Sequence, residues 1–332
     1  MPAIRPPELI EAILDAFQEA GSSGMLISTP IRHPRRFIIQ AEAGNVEVWV
    51  YAWTLTHGGR PNLPDEYRIQ MTTVSSPLPL NPRGYTVLLG YEPNLKMFAG
   101  FDLRRHRTFT TGSPSVQINI KSLYRALQDG LAFDRKSNNE IAVGIRPDQI
   151  INYLANAENL HQLGTSALMY KLLTRASALV AIDQDELDRL TNARRKIVSS
   201  ISRFSRAACF RQQVLAAYGQ RCAVTRMQLR LVEATHILPV GAEGSTDEIQ
   251  NGIALSPTFH RAFDNALIFL DEDMVMRFNP ARELQLATLR LDGGLPDFKR
   301  VLGQRIHLPP DRKQWPQVKL IRRANEYRRI PM

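Results

Sequence analysis

Residues 232–264, VEATHILPVGAEGSTDEIQNGIALSPTFHRAFD, leave the backbone little choice. A β-rich apolar run, LRLVEATHILP, ends at Pro239, which has no N–H for a sheet ladder. VGAEGSTDEIQ has the Gly, Ser, Thr and acidic content of a loop. Asn251-Gly252 is a turn signal, and the apolar residues after it read as a second short strand. Ser256 then stands at an N-cap position with Pro257 at the first helical position, so SPTFHRAFDNAL reads as a short helix. The order is strand, loop, strand, helix. It places His236 near the end of a strand. His260 and Asp264, four apart, share one helix face and can bind one ion.

These residue types suit phosphodiester hydrolysis. A neutral histidine, with an ordinary pKa near 6.5, can take a proton from water. A cation can stabilise the pentavalent phosphate and the leaving oxygen. The base must also be held in one orientation through its other ring nitrogen. His236, an ion on His260 and Asp264, and Asn251 could fill these roles in turn. The bland reading is a surface hairpin. A histidine at a strand end is ordinarily just hydrogen-bonded, Asn-Gly is a common turn pair, and Asp264 could merely pair with an arginine.

The blocks around these residues decide between the two. FRQQVLAAYGQRCAVT (210–225), ATHILP (234–239), NGIALS (251–256) and HRAFD (260–264) occur in that order, and QRIHLPP (304–310) follows. Together they resemble the C-terminal HNH domains of predicted restriction endonucleases, which have the ββα-metal nuclease fold. The resemblance covers about the last 120 residues. It implies that His236 is the general base, Asn251 the middle Asn that orients the base and pins the loop, and His260 the last letter of the motif and a metal ligand. Asp264 matches the partner ligand, and Arg261 neighbours the site as a phosphate contact. The implied cofactor is a divalent metal, Mg²⁺ first, with Mn²⁺ or another transition metal as the alternative. Many HNH enzymes place a metal-ligating Asp or His immediately before the base, where this chain has Thr235; Glu233 and Asp247 stand as candidate extra ligands.

The remaining chain is organised differently. Its 332 residues suggest about two domains. Residues 8–20 have helical apolar spacing. From 36 to 110 there are short β-rich runs separated by turn-formers, followed by helical patterns near 119–130 and 147–158 with the strand IAVGI between them. Residues 164–218 read as helix almost throughout. The fold class is therefore α+β: a mixed, mostly antiparallel domain over 1–163, a basic helical connector over 164–203 and the nuclease domain with its basic tail over 204–332.

The net charge of +10 suits a polyanionic partner. From Lys299 onward, ten lysines and arginines face only Asp311 and Glu326. No apolar run approaches the ~18 residues of a membrane-spanning helix, and the N-terminus does not read as a signal peptide, which points to the cytoplasm and away from membranes. Two cysteines without a CxxC pair exclude a cysteine-rich zinc site. Candidate phosphate contacts outside the nuclease domain are Arg35, Arg36, Arg104 and Arg105 in the N-terminal domain and Arg194 and Arg195 in the connector. Of the strand aromatics Trp49, Tyr51, Trp53, Tyr67 and Tyr91, most belong to a core and a minority could stack on a flipped base.

The resulting expectation is a metal-dependent DNA endonuclease of restriction or phage-defence type. Its N-terminal domain would read DNA sequence or a modified base in double-stranded DNA, and it would act as a homodimer to cut both strands. The alternatives are an effector nuclease whose N-terminal domain senses a small ligand or partner, and a non-catalytic DNA-binding protein.

Overall fold

The computed structural model describes residues 3–41, 44–110, 112 and 114–330. The chain forms two compact units that divide after Ser205.

The first unit is built on a seven-stranded sheet with the spatial order 24–26, 35–41, 44–54, 85–92, 97–101, 141–145, 131–135. Strands Gly44–Thr54 and Tyr85–Glu92 pair in parallel, and the other neighbours are antiparallel. Residue alternation assigns the two faces. Val48, Val50, Val87, Leu89 and Phe98 lie in one apolar cluster with the helices Pro6–Glu19, Ile150–Leu163 and Ala167–Ser177. Tyr51, Leu88, Met97, Ala99 and Phe101 lie in another, with the small sheet 56–57, 66–70, 115–119 and the helix Ile120–Asp129. A sheet covered on both faces needs apolar residues at odd and even positions alike, which is why YTVLLGY and KMFAGF read as nearly continuous apolar runs. Gly100 lets Tyr153 lie against the sheet, because an added Cβ would come within 2.2 Å of the phenol ring.

One buried ion cluster braces this unit. The Glu140 carboxylate accepts from His106 Nε2 at 2.7 Å and lies 3.1 Å from Lys136 Nζ. Burial pushes its pKa up, but the His106 hydrogen bond and the Lys136 charge outweigh that and hold it down to about 2. A carboxylate depressed in the folded state stabilises the fold above its unfolded value near 4.5, and the contribution is lost as pH falls towards 2. Urea titrations should therefore show Glu140→Gln less stable than wild type at pH 6, with the difference vanishing near pH 2; a constant difference across this range would refute the linkage.

The reading of 164–218 as nearly continuous helix is corrected. The chain forms Ala167–Ser177, the short Gln184–Asp188 and the long Asn192–Ala217. Leu179 takes a left-handed backbone at φ 56°, which ends the first helix. Arg175 holds the break by bonding the Ala181 carbonyl and Glu186.

In the second unit, strand Glu233–His236 pairs antiparallel with Gly252–Leu255, and helix Pro257–Asp264 packs against both. A second hairpin, Ile268–Leu270 with Met276–Phe278, and helix Val318–Tyr327 complete it. Ile237, Ile253, Leu255, Phe263, Ile268 and Ile321 are buried in one core with Phe210 and Val214 from the long helix. The first strand is shorter than LRLVEATHIL suggests. Leu229 and Arg230 both have left-handed backbones, at φ 47° and 54°, and cannot continue a strand.

Candidate active site

The site is framed by the strand pair and the helix that follows it. His236 is the last residue of its strand and lies opposite Gly252. Gly252 is extended, with φ −116° and ψ 146°, so Asn251-Gly252 is not the glycine-dependent turn that the sequence suggests. What Gly252 supplies is space. A Cβ there would come within 2.2 Å of Val214 and 3.1 Å of Phe210. The long helix can therefore approach closely, and Phe210 stacks flat on the His236 ring with centroids 3.8 Å apart.

His236 is further held by a 3.0 Å contact between its Nε2 and Asp247 Oδ1. A carboxylate at Nε2 favours the tautomer protonated there and leaves Nδ1 with its lone pair. Among the described residues no hydrogen bond to Nδ1 is found. The arrangement is a carboxylate–imidazole pair with one basic nitrogen available.

Asn251 is fully buried, and among the described residues its amide makes no hydrogen bond to the His236 ring. Its Oδ1 accepts from Leu238 N at 2.8 Å. Its Nδ2 donates to Leu238 O at 3.0 Å, Ser245 Oγ at 3.2 Å and Thr246 O at 2.9 Å. Asn251 thus fastens both ends of the loop that carries Asp247, and any influence on the base passes through that loop. The contact to the ring expected of Asn251 is made by Asp247.

The helix contributes a second cluster. His260 Nδ1 lies 2.6 Å from Glu233 Oε2, and His260 Nε2 lies 3.2 Å from Asp264 Oδ2. Burial pushes the His260 pKa down, but Asp264 and Glu233 together lift it to about 9. The His260 hydrogen bond leads the causes that hold Glu233 below the usual carboxylate range. Without a metal, the cluster stores a proton between two carboxylates.

The donor chemistry fits a divalent ion. Two ligands each about 2.1 Å from one ion are about 3.0–3.4 Å apart at octahedral to tetrahedral angles. The 3.2 Å separation of His260 Nε2 and Asp264 Oδ2 falls in that interval. Glu233 on Nδ1 is then the carboxylate that orients a metal-binding imidazole. Thr235 supplies no charge; it is buried, with no partner for its hydroxyl among the described residues. No group of three or more His, Cys, Asp or Glu suited to a metal ion occurs among the described residues, and His260 with Asp264 is the pair that would hold one.

Among the described residues no hydrogen bond or ion pair joins the His236 pair to the His260 cluster. Arg328 spans them. Its Nη1 donates to the carbonyl of Ile237 at 2.7 Å, and its Cζ lies 4.4 Å over the ring of Phe263. Burial lowers its pKa, while Asp264 acts in the other direction. In the sequence Arg328 is one cation of a basic tail, and nothing distinguishes it from its neighbours.

The match to known families now has a geometry to stand on. Residues 222–271 match the family described as HNH endonuclease. The second unit carries an HNH endonuclease domain. The chain is thus a DNA-hydrolysing nuclease, and the motif resemblance holds. Residues 46–154 match a second family, described as Methylase-associated X1. No curated protein matches the chain. A solved structure titled "Modification dependent TagI restriction endonuclease" is similar at 12% identity with a TM-score of 0.29, over 83% of this chain and 80% of that one.

The other candidate residues lie as follows. Arg261 is exposed on the HNH helix. Arg194 is also exposed, and Arg195 lies 3.2 Å from Asp188. Arg104 pairs with Glu158, and Arg105 lies 3.6 Å from Asp102. Arg36 bonds Glu47 at 2.7 Å and lies over the Trp49 ring. Arg35 is corrected. It is buried, and its guanidinium donates to the carbonyls of Pro30 and Ala52. Burial lowers its pKa to about 10, and a strand that faces the core leaves it no path to a phosphate. The aromatic faces are also used internally. Tyr51 and Tyr91 are core residues, and His33 stacks on Trp53 at 4.2 Å.

Proposed function

We propose that the chain is a metal-dependent endonuclease of restriction type whose first unit selects double-stranded DNA by sequence or by a modified base. The observation that carries the catalytic part is the separation of two histidines into two roles. His236 has one nitrogen on a carboxylate and the other available, as a base requires. His260 has Glu233 on Nδ1 and turns Nε2 towards Asp264, and that nitrogen and carboxylate are the two donors that would hold an ion.

In this reading His236 Nδ1 takes a proton from the attacking water, and Asp247 stabilises the imidazolium that forms. Phe210 limits rotation of the ring. His260 and Asp264 would hold a divalent ion, Mg²⁺ in the first instance, which would supply positive charge to the phosphate being cut. Glu233 keeps His260 Nε2 turned to the ion. Arg261 approaches a neighbouring phosphate from the exposed side of the helix. One such site cuts one strand, so a double-strand break takes two copies of the chain. A role in phage defence is consistent with selective cutting of foreign DNA.

For the first unit, the match to a family described as methylase-associated supports a link to base modification. Cleavage of matched methylated and unmethylated plasmids, with the ends mapped, tests it: equal cleavage of both at identical positions removes modification from the proposal.

Metal dependence is tested at the pair. His260→Ala and Asp264→Asn should each weaken Mn²⁺ binding, read by electron paramagnetic resonance, and lower cleavage by about 100-fold or more. Unchanged Mn²⁺ affinity in both variants would place the ion elsewhere.

A further inference from the structure

The segment just before the catalytic strand has a feature that hydrolysis does not use. From Gly219 to Val232 the sequence is GQRCAVTRMQLRLV, with Arg221, Arg226 and Arg230 and no acid. Met227, Leu229 and Leu231 are exposed, Leu229 to 74%. Three large apolar side chains held in water are unfavourable unless something covers them.

The segment is not slack. Cys222 N bonds Met227 O at 2.9 Å, Arg226 N bonds Cys222 O at 2.9 Å, and Leu231 N bonds Gln228 O at 2.9 Å. The Gln228 side chain donates to Gly219 O at 3.1 Å. Arg226, Leu229 and Arg230 all have left-handed backbones, with φ of 63°, 47° and 54°. For Leu and Arg this backbone is strained, and such strain persists where the surrounding structure enforces it and a function uses it. The tip is a preformed apolar point on a cationic base.

Its position identifies the occupant. Leu229 precedes Glu233 by four residues, and Glu233 touches His260. Four residues reach at most about 14 Å. With DNA rising about 3.4 Å per base pair, that backbone span alone is about four steps, and the Glu233 and His260 side chains add to it, so the tip meets the duplex within several steps of the phosphate at the site. The charge excludes an acidic-poor, cationic partner and favours a polyanion.

We infer that Leu229, flanked by Met227 and Leu231, is a wedge that enters the DNA duplex between base steps beside the cleaved phosphate. Arg221 and Arg226 neutralise phosphates beside it. Insertion of an apolar side chain unstacks one step and unwinds or kinks the duplex, which exposes the backbone to the site. This goes beyond hydrolysis itself and rests on the proposed reading that the substrate is duplex DNA whose cleaved phosphate lies on the His260 side.

The test separates the wedge from the nuclease. Full-length His236→Ala protein is bound to singly nicked plasmid, ligase closes the circle, and the linking number is read on gels. A wedge leaves a negative linking-number shift proportional to bound protein. Adding Leu229→Gly, which suits the left-handed backbone and so preserves the loop, should abolish the shift. Leu229→Met should restore most of it. In a chain that retains His236, Leu229→Gly should lower plasmid cleavage about tenfold or more with its melting temperature unchanged. A bound His236→Ala protein that leaves the linking number unaltered, a shift that survives Leu229→Gly, or failure to bind plasmid at all would each overturn the wedge. Cleavage by wild type with no shift would do so while leaving the nuclease reading intact.

Discussion

His236→Ala should lower plasmid nicking in Mg²⁺ or Mn²⁺ by about 10²–10⁴-fold, the usual contribution of a positioned general base. The reason lies in how the ring is held. Phe210 covers one face and Asp247 occupies Nε2, so the imidazole has one orientation and one basic nitrogen. Alanine removes the base and uncovers one face of Phe210, while Ile237 and Ile253 beside it keep the rest of the core in place. DNA affinity and melting temperature should therefore change little. Asp247→Asn should give a smaller loss, about 10–100-fold, because the ring stays in place while the preferred tautomer is no longer enforced. Cleavage that survives His236→Ala would refute the assignment of the base. An unaffected Asp247→Asn would show that Phe210 alone orients it.

The largest stability effect is expected at Asn251. Its amide satisfies the N–H and C=O of Leu238 and the C=O of Thr246, and it contacts Ser245 Oγ. Asn251→Ala would leave the buried Leu238 N–H and the part-buried Thr246 C=O without this partner, at about 1–3 kcal/mol for a buried group, would strip one of two bonds from Leu238 C=O, and would open a cavity. Water entering the cavity recovers part of this, so a net loss of about 3–5 kcal/mol is the expected scale, a large share of the roughly 5–15 kcal/mol that holds an ordinary domain. Chemical denaturation of the second unit, followed by Trp315 fluorescence, should show the midpoint fall accordingly. Asn251→Asp should be nearly as damaging, because a carboxylate cannot donate to Leu238 O and Thr246 O. A loss below 1 kcal/mol in both variants would show that the hydrogen bonds of the Asn251 amide do not hold the loop.

These two residues show how far the sequence reaches. The strand, loop, strand and helix order was readable from Pro239, the polar loop and Ser256-Pro257, because these act locally on the backbone. The pairing of His260 with Asp264 was readable too, since helical spacing alone brings residues four apart together. The roles of Glu233 and Asp247 were not. In the sequence they stand as candidate extra metal ligands, whereas in the fold each contacts an imidazole, and which ring nitrogen each approaches depends on strand register and loop path. The N-terminal strands were legible as β-rich runs, yet their order was not, because neighbours such as Gly44–Thr54 and Tyr85–Glu92 are joined by tertiary packing.

Glycine and arginine mark the boundary most clearly. Gly252 looked like a turn residue and serves instead as a gap for Val214 and Phe210. Arg35 and Arg328 looked alike as surface cations. One is buried on core carbonyls and the other bridges the two halves of the nuclease site. By itself the sequence determined the local elements, the HNH motif and the excess of positive charge, all of which are set by residues near one another in the chain. The tertiary structure decided which carboxylate holds which imidazole, which arginine reaches the site, and that the apolar residues before the catalytic strand face water, because each of these depends on contacts between segments that only the fold brings together.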